Sequence, residues 1–470
     1  MQHKESYLWG LTSKFGPAFI QLFANMILAR LLCPSDFGTV GVLTIIFSVA
    51  NVLVDSGLGG SLIKEKEISK IDCSTIACFN SGIGLFFFIL IFSTAGYIES
   101  YFGIDGLADV TRCLSFAFLL GPIAVVPQAL LARDLKFKQT CQIAIISVLG
   151  ASVFAVAMAL FGFGVYSLVV LQLANILFNA VLACVYCRYI PRYKFSMSSF
   201  RRLIPFGAFT TMTGVIDTIY ENLLTTLTGK YLNVQQAGYM SQAKRVEDTL
   251  GTTITKTIAN VSFPIITKLK ENLPRFKAET QSVYRNVPLL VTPALLTVSL
   301  FAAPILVLLF GEQWEPTSYY LQALVFAGIV MINETLLRSF IKSFGAVKQL
   351  MYITIIKRVV GIAIILASLI INPMYIVHGY IISAFFGFIL NAFMYSEIIG
   401  VSVLTIAKDT VLTIIPSLAI YLALVAVKQW SDSLPLLIIL TAICAAIYIF
   451  AILPLYGIKL SKMIFRRRSH

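Results

Sequence analysis

The chain has 470 residues, of which 58% are hydrophobic and 12% are charged, and its net charge is +14. A soluble globular domain usually has about 25% charged residues and fewer apolar ones, so this composition excludes a water-soluble globular protein. The basic excess falls in short groups between apolar stretches and never forms a separate basic domain, which argues against a nucleic-acid-binding protein.

Long apolar stretches recur along the whole chain. An α-helix rises about 1.5 Å per residue, so about 20 apolar residues cross a hydrocarbon core of about 30 Å. In chain order we predict about fourteen spans, at residues 15–32, 40–62, 75–96, 113–131, 141–161, 166–187, 205–228, 246–266, 287–310, 319–340, 350–371, 375–398, 410–427 and 435–456. The predicted fold class is therefore an all-α polytopic membrane protein.

The eight cysteines are scattered, and most fall inside predicted spans or at their ends. Cys184 and Cys187 form a lone C-x-x-C motif, whereas a zinc site would need a second pair or histidines nearby. We therefore expect packing residues rather than a disulfide framework or a metal site. No nucleophile–base pair or phosphate-binding glycine loop is recognisable, so we expect no enzyme, no cofactor and no catalytic residue.

Most of the 36 Lys and Arg residues fall on alternate connections, on the same side as both chain ends. Short cytoplasmic loops retain basic residues, so we predict that both termini face the cytoplasm, in a bacterial inner (cytoplasmic) membrane. An even number of spans also keeps the basic tail inside. That tail carries Lys459, Lys462, Arg466, Arg467 and Arg468.

The chain aligns with itself over a short match at an offset of 200 residues. The segment from Arg30 to Gly38 falls on the segment from Lys230 to Gly238, and both follow a span with polar residues. The match predicts two six-helix bundles, 1–200 and 201–400, related by an axis along the membrane normal, as in many transporters. Residues 401–470 would add two helices and the basic cytoplasmic tail. The alternative is a chance similarity of two loop starts.

Three predicted spans carry polar or charged side chains. A charge at the centre of a span costs about 2.5–3.5 kcal/mol on the insertion scale, so such groups usually face a bundle interior or water. The residues are Thr210, Thr213, Asp217, Glu221, Thr225 and Thr228 in the seventh span, Lys14, Gln21 and Asn25 in the first, and Asn333, Glu334, Arg338 and Lys342 in the tenth. Glu334 and Arg338 have the i,i+4 spacing of an ion pair. These stripes predict a hydrophilic central cavity, and the alternative is that they only hold helices together.

Asp55 precedes the sequence Ser-Gly-Leu-Gly-Gly inside the second predicted span. Two interpretations stay open. The helix is interrupted and its backbone carbonyls coordinate an ion, or the helix ends near the inner membrane surface. We favour the helix end.

Several segments resemble a known family. They are ARLLCPSDFGTVGV (29–42) followed by VDSGLGGSLIK (54–64), PQALLARDLKFK (127–138), IYENLLTTLTGKYLNVQQAGYMSQAKRVED (219–248) and VSFPIITKLKENLPRFK (261–277). In sequence and order they resemble the Wzx-type flippases of O-antigen, capsule and exopolysaccharide pathways. These flippases form part of the polysaccharide transporter branch of the multidrug/oligosaccharidyl-lipid/polysaccharide exporter superfamily.

The resemblance implies translocation of undecaprenyl-diphosphate-linked oligosaccharide repeat units to the outer leaflet, by alternating access and driven by an ion gradient or the membrane potential. It implies a phospholipid membrane, a polysaccharide polymerase and a chain-length regulator as partners, and no nucleic acid. For cargo binding it points to the basic residues Arg30, Lys230, Lys256 and Arg338. For ion coupling or the polar cavity wall it points to Gln21, Asn25, Asp217, Glu221 and Glu334.

Two other functions stay open. An ion-coupled multidrug or metabolite antiporter of the same superfamily would favour acidic and aromatic cavity walls, whereas a diphosphate needs a positive potential. A membrane polysaccharide polymerase or glycosyltransferase generally needs a large external loop with catalytic groups. The longest outer connection predicted here, from Gly229 to Glu247, is short.

Overall fold

The computed structural model describes residues 2–65, 67–189, 194–249, 266–430 and 434–448, and the statements below concern these ranges. Helices and short turns make up the described chain, and no strand occurs in it. Ten helices within these ranges are long and apolar enough to cross a membrane, and two shorter apolar segments, Gly16–Leu31 and Pro435–Ile447, accompany them. The predicted all-α polytopic membrane fold is confirmed.

Internal packing divides the chain into two units. Unit 1 comprises residues 1–242 and 307–315, and unit 2 comprises residues 243–306 and 316–470. The predicted division into two six-helix bundles, 1–200 and 201–400, with two helices and a basic tail in 401–470, stays a prediction.

The ends of the unit 1 helices follow from capping residues. At the start of α4 (Lys70–Phe102) the Ser69 hydroxyl accepts from Asp72 N (3.2 Å) and the Asp72 carboxylate accepts from Ser69 N (3.0 Å), which satisfies two free backbone donors. Gly103 ends the same helix because glycine readily adopts the left-handed φ of +67° found there. The helices are α1 (Gln2–Leu31), α2 (Pro34–Asp55), α3 (Leu58–Lys64), α4 (Lys70–Phe102), α5 (Leu107–Ser115), α6 (Ala117–Arg133), α7 (Phe137–Leu160), α8 (Tyr166–Cys187), α9 (Met197–Tyr231) and α10 (Val234–Glu247).

Unit 2 is organised around a long and mostly buried helix, α13 (Thr317–Phe344). Gly345 ends α13 and Gly400 ends α15 (Ile376–Ile399), both in the left-handed conformation. The helices after residue 266 are α11 (Leu273–Leu300), α12 (Ala302–Phe310), α13 (Thr317–Phe344), α14 (Val347–Ile371), α15 (Ile376–Ile399), α16 (Val403–Trp430) and α17 (Leu434–Ile447), with short 3-10 turns at Glu312–Trp314 and Pro373–Tyr375. The last residues of α12 belong to unit 1.

The second and fourth predicted spans are each built from two helices. In the second, α2 ends at Asp55, Ser56 and Gly57 have left-handed φ angles of +51° and +60°, and α3 begins at Leu58. In the fourth, Phe116 separates α5 from α6. The predicted spans 246–266 and 435–456 extend beyond the described residues.

The core of unit 1 lies among α2, α4, α5 and α6. The Phe47 and Phe118 rings stack there with their centroids 5.3 Å apart. Helices α4 and α6 approach closely because position 84 is glycine. A Cβ atom on Gly84 would lie 2.3 Å from the Phe118 carbonyl oxygen. Small residues of this kind are typical of helix contacts in membranes, where close backbone packing replaces the hydrophobic effect.

Candidate functional site

Helices α2 and α10 cross at two glycines that the offset of 200 residues aligns. A Cβ atom on Gly38 would lie 1.7 Å from the Val234 carbonyl oxygen, and one on Gly238 would lie 1.9 Å from the Pro34 carbonyl oxygen. Pro34 and Val234 are also aligned by the offset. Contacts that exchange partners in this way indicate a local two-fold relation. The absent side chains let the two backbones touch.

Two buried hydrogen bonds beside this crossing are also related to each other by the offset of 200 residues. Asn25 of α1 donates from Nδ2 to Gln242 Oε1 of α10 (3.0 Å), and Thr226 of α9 donates from Oγ1 to the Val42 carbonyl of α2 (3.2 Å). The offset relates Gln242 to Val42, and Asn25 to Thr225 beside Thr226. Asn25 therefore takes part in helix packing here, and its predicted role in ion coupling stays a prediction.

The Arg30 guanidinium points at the end of α12. Its Nε donates to the Leu309 carbonyl (3.2 Å) and its Nη2 donates to the Leu308 carbonyl. The last carbonyls of a helix lack partners within the helix and carry partial negative charge, so Arg30 caps this helix end. The buried Trp314 adds a bond from Nε1 to the Ala29 carbonyl (2.7 Å). Cargo binding by Arg30 stays a prediction.

Lys230 occupies the position that the offset aligns with Arg30, and it also contacts a backbone carbonyl. Its ammonium donates to the Tyr101 carbonyl and lies 4.3 Å from the centroid of the Tyr101 ring. Such a cation–π contact is worth about 0.5–1 kcal/mol at an exposed site. Arg30 and Lys230 thus both donate to backbone carbonyls of unit 1, and cargo binding by Lys230 likewise stays a prediction.

The polar stripe of α9 changes from buried to exposed along the helix. Thr225 and Thr228 are buried, and Thr228 Oγ1 donates to the Leu224 carbonyl (2.7 Å). Asp217 is half-buried and Glu221 is exposed. An ionised carboxylate cannot face lipid cheaply, so this face needs water or a cation. Gln21 of α1 is also exposed, and the Thr210 side chain and Lys256 lie outside the described residues.

Glu334 of α13 and Lys357 of α14 form a buried ion pair in unit 2. The Lys357 ammonium donates to Glu334 Oε1, and the two side chains are only 4% and 9% exposed. Asn391 of α15 donates from Nδ2 to the same oxygen (3.4 Å). The cluster leaves little room at Gly387, since a Cβ atom there would lie 3.2 Å from Glu334 Oε2. Three helices therefore converge on one carboxylate.

The ion pair expected between Glu334 and Arg338 does not form among the described residues, because Glu334 pairs with Lys357 instead. Arg338 is half-buried and lies close enough to Lys357 for the two positive charges to repel each other. Arg358 is buried and repels Lys357 as well. Three basic side chains and one carboxylate thus meet where α13 packs against α14. We call Glu334, Arg338, Lys357 and Arg358 the basic cluster.

Sequence reasoning missed two members of the basic cluster, Lys357 and Arg358. The signal was present, since two adjacent basic residues inside the apolar span 350–371 cannot both face lipid. It also missed polar contacts between helices, such as Gln281 Nε2 donating to Asp409 Oδ2 (2.8 Å) and the Asp72–Arg202 ion pair (2.7 Å). Within the described ranges no group of three or more His, Cys, Asp or Glu side chains is placed to hold a metal ion.

The sequence matches a family model and several curated proteins. The model describes polysaccharide biosynthesis proteins and matches residues 27–319. The chain is 26% identical over 306 residues to the lipopolysaccharide biosynthesis protein WzxC of Escherichia coli (strain K12). The alignment covers 65% of this chain and 62% of WzxC. It is 24% identical over 311 residues to the succinoglycan biosynthesis transport protein ExoT of Rhizobium meliloti (strain 1021), and the alignment covers 65% of this chain and 62% of ExoT. The chain thus spans less than two thirds of the length of each of these relatives.

The fold matches a solved membrane transporter. The lipid II flippase MurJ, in an inward closed conformation, superposes with a TM-score of 0.77, covering 96% of this chain and 99% of MurJ. Only 14% of the aligned residues are identical, so the match concerns the fold alone.

Proposed function

This chain belongs to the family of polysaccharide biosynthesis proteins, and from that premise we propose that it is a flippase, a transporter rather than an enzyme. Its cargo is an oligosaccharide repeat unit linked through a diphosphate to undecaprenol. It moves this cargo from the cytoplasmic to the outer leaflet by alternating access, for lipopolysaccharide O-antigen, capsule or exopolysaccharide synthesis.

The match of the family model to residues 27–319 of a chain with many membrane-spanning helices carries this proposal. The names of WzxC and ExoT refer to lipopolysaccharide biosynthesis and to succinoglycan biosynthesis transport. A diphosphate attached to a long apolar chain needs a positive, polar surface at membrane depth, because phosphate oxygens bind best to charged donors.

The basic cluster supplies such a surface in unit 2. Arg338 forms no hydrogen bond or salt bridge with any described residue, so its guanidinium is available for a phosphate. Lys357 is neutralised by Glu334, which holds it in place beside Arg338. We therefore propose Arg338 as the main diphosphate contact. Arg30 and Lys230 are proposed as secondary contacts, since each would have to release backbone carbonyls to bind cargo.

We further propose an inner-membrane location with both termini in the cytoplasm. The basic residues at the ends of α3 and α8 and in the connection before α11 support alternate-side retention of charge. In the proposed translocation the cargo enters from the cytoplasmic side.

The function is tested by deleting the gene and restoring it on a plasmid. Loss should abolish surface polysaccharide and cause the complete lipid-linked repeat unit to accumulate, protected from impermeant periodate or glycosidase added to intact cells. Restoration should reverse both effects. A polymerase mutant of the same pathway serves as the control, because it still presents single repeat units on the outer surface.

Two outcomes would overturn the proposal. Single repeat units exposed on the outer surface of the deletion strain would indicate a polymerase, which acts after translocation. Unchanged polysaccharide together with altered sensitivity to cationic drugs would indicate an antiporter.

A further inference from the structure

A buried amide oxygen of α13 has no hydrogen-bond partner among the described residues. Asn333 is only 1% exposed, and its Nδ2 donates to the Ile329 carbonyl of the same helix (2.9 Å). That bond fixes the orientation of the amide, because exchanging its oxygen and nitrogen would place two carbonyl oxygens together. Asn333 Oδ1 is therefore an acceptor that no described donor reaches. Such atoms are rare, since leaving a buried acceptor unpaired lowers the stability of the fold.

Asn333 is one of the residues that line a cavity of about 350 Å3 inside unit 2. This volume falls within the range of about 300–1,000 Å3 that is typical of ligand sites. Helices α11, α13, α15 and α16 supply its walls. Apart from Asn333 and Thr410, its described lining residues are leucine, isoleucine, valine and phenylalanine.

The cavity suits neither water nor a charged group. The Thr410 hydroxyl already bonds to the Ile406 carbonyl (2.8 Å) and the Tyr284 hydroxyl (2.6 Å), so its one proton is used. A buried water needs about two to four polar partners, whereas an apolar cavity stays dry. No ionisable residue belongs to the described lining, so a charged head group would be buried without a counter-charge. An uncharged, apolar molecule with one hydrogen-bond donor fits the cavity.

The cavity opens towards the lipid. Phe385 of α15 lines it and is 50% exposed. The neighbouring exposed residues of α15 and α16 are all apolar, and they are Ile382, Ile389, Val411 and Ile415. An apolar surface on membrane-spanning helices faces the hydrocarbon core. A molecule that enters here must therefore dissolve in the bilayer.

The depth of Asn333 restricts the kind of lipid. Asn333 stands 16 residues after the first residue of α13 and 11 before the last, which is about 24 Å and 17 Å along the helix axis. The unpaired oxygen therefore lies deep in a hydrocarbon core of about 30 Å. A lipid whose polar head group stays at the membrane surface cannot bring a donor to this depth.

We propose that this cavity of unit 2 binds a long-chain alcohol that has no other polar group, with its hydroxyl donating to Asn333 Oδ1. A hydroxyl supplies one donor without a charge, and the cavity supplies one free acceptor. No residue of the basic cluster belongs to the described lining, so the site is separate from the proposed diphosphate contact.

Binding is tested on the purified full-length protein in nanodiscs of phosphatidylethanolamine and phosphatidylglycerol. Two photoreactive probes are compared, a diazirine derivative of hexadecanol and its methyl ether, which has the same chain but cannot donate. Mass spectrometry locates the labelled peptides. The alcohol should label the lining residues of α13, α15 or α16, and excess hexadecanol should suppress this labelling. The ether should label them about threefold to tenfold less, the factor that corresponds to one neutral hydrogen bond.

Two variants change the site in different ways. Asn333→Leu removes the acceptor at similar side-chain volume, so labelling by the alcohol should fall to the level of the ether. Val330→Phe fills the cavity and keeps Asn333, because Val330 is a buried lining residue, so both probes should lose the cavity labelling. Asn286→Leu, on α11 outside the described lining, is the matched control and should label like the wild type. Gel filtration verifies that each variant is monodisperse, and Val330→Phe carries the test should Asn333→Leu aggregate.

Three outcomes would overturn the proposal. Equal labelling of the cavity by the alcohol and the ether would show that the site selects apolar volume alone. Unchanged alcohol labelling in Asn333→Leu would exclude the hydrogen bond. Suppression by dioleoylglycerol as strong as that by hexadecanol would indicate a lipid anchored at the surface. Transport plays no part in these measurements, so their failure leaves the proposed flippase function untouched.

Discussion

Glu334 and Lys357 form the most buried ion pair among the described residues. Removing one partner of a buried pair costs about 3–5 kcal/mol, whereas replacing both by apolar groups is often neutral. The presence of the pair therefore does not by itself show that it stabilises the protein. Its position beside Arg338 is more informative, because Glu334 partly compensates the positive charge that a diphosphate would neutralise completely.

Glu334→Gln should destabilise the protein by about 3–5 kcal/mol, because it leaves the Lys357 ammonium buried without a counter-charge. Combining it with Lys357→Met should restore most of the loss. The free energy of unfolding is measured by denaturant titration in mixed micelles. Glu279→Gln, at an exposed position of α11, should match the wild type. Equal stabilities of the single and the double variant would show that the two charges are not coupled.

Arg338→Ala should reduce surface polysaccharide about tenfold at matched protein level, since it removes a charge-assisted contact worth about 1.5–3 kcal/mol. Its unfolding temperature should stay close to that of the wild type, because Arg338 has no hydrogen bond to a described residue that would be lost. Arg275→Ala, at an exposed position near the start of α11, is the control. Normal polysaccharide in Arg338→Ala would remove this residue from the proposed cargo site.

Among the helices, the crossing of α2 and α10 depends on backbone contact at Gly38 and Gly238. The Asn25–Gln242 and Thr226–Val42 bonds flank that crossing. Farther along, α2 ends at Asp55, where the second predicted span is interrupted. The same span therefore contains a tight helix crossing near its start and an interruption near its end.

Gly38→Ala and Gly238→Ala should each destabilise unit 1 by about 1–3 kcal/mol, because a Cβ atom would overlap a backbone oxygen that cannot move alone. The double variant should lose less than the sum, since both substitutions separate the same two helices. Denaturant titration measures the losses. Gly96→Ala on α4 is the control, as no atom lies within 4 Å of its added Cβ. Full additivity would contradict a shared crossing.

For the whole molecule, sequence patterns predicted the elements better than their contacts. Apolar length acts locally along the chain, so the membrane-spanning helices were predictable. The partner of Glu334 was not, because i,i+4 spacing identifies neighbours on one helix and Lys357 lies 23 residues away on another. Arg30 likewise contacts a carbonyl 279 residues distant. At Asp55 the favoured helix end is present, and so is the interruption that the alternative interpretation described.

The orientation in the membrane is a property of the entire chain, and single cysteines can test it. Basic residues crowd the connection that precedes α9 and the one that precedes α11, whereas the turn between α4 and α5 has none, so we expect that turn outside. In a background without native cysteines, an impermeant maleimide should label Asp105→Cys in intact cells. It should label Lys194→Cys and Glu271→Cys only after permeabilisation. Labelling of Glu271→Cys from outside would contradict the predicted topology of the second half. It would require an odd number of spans between Glu271 and the first predicted cytoplasmic connection, which follows the span 40–62.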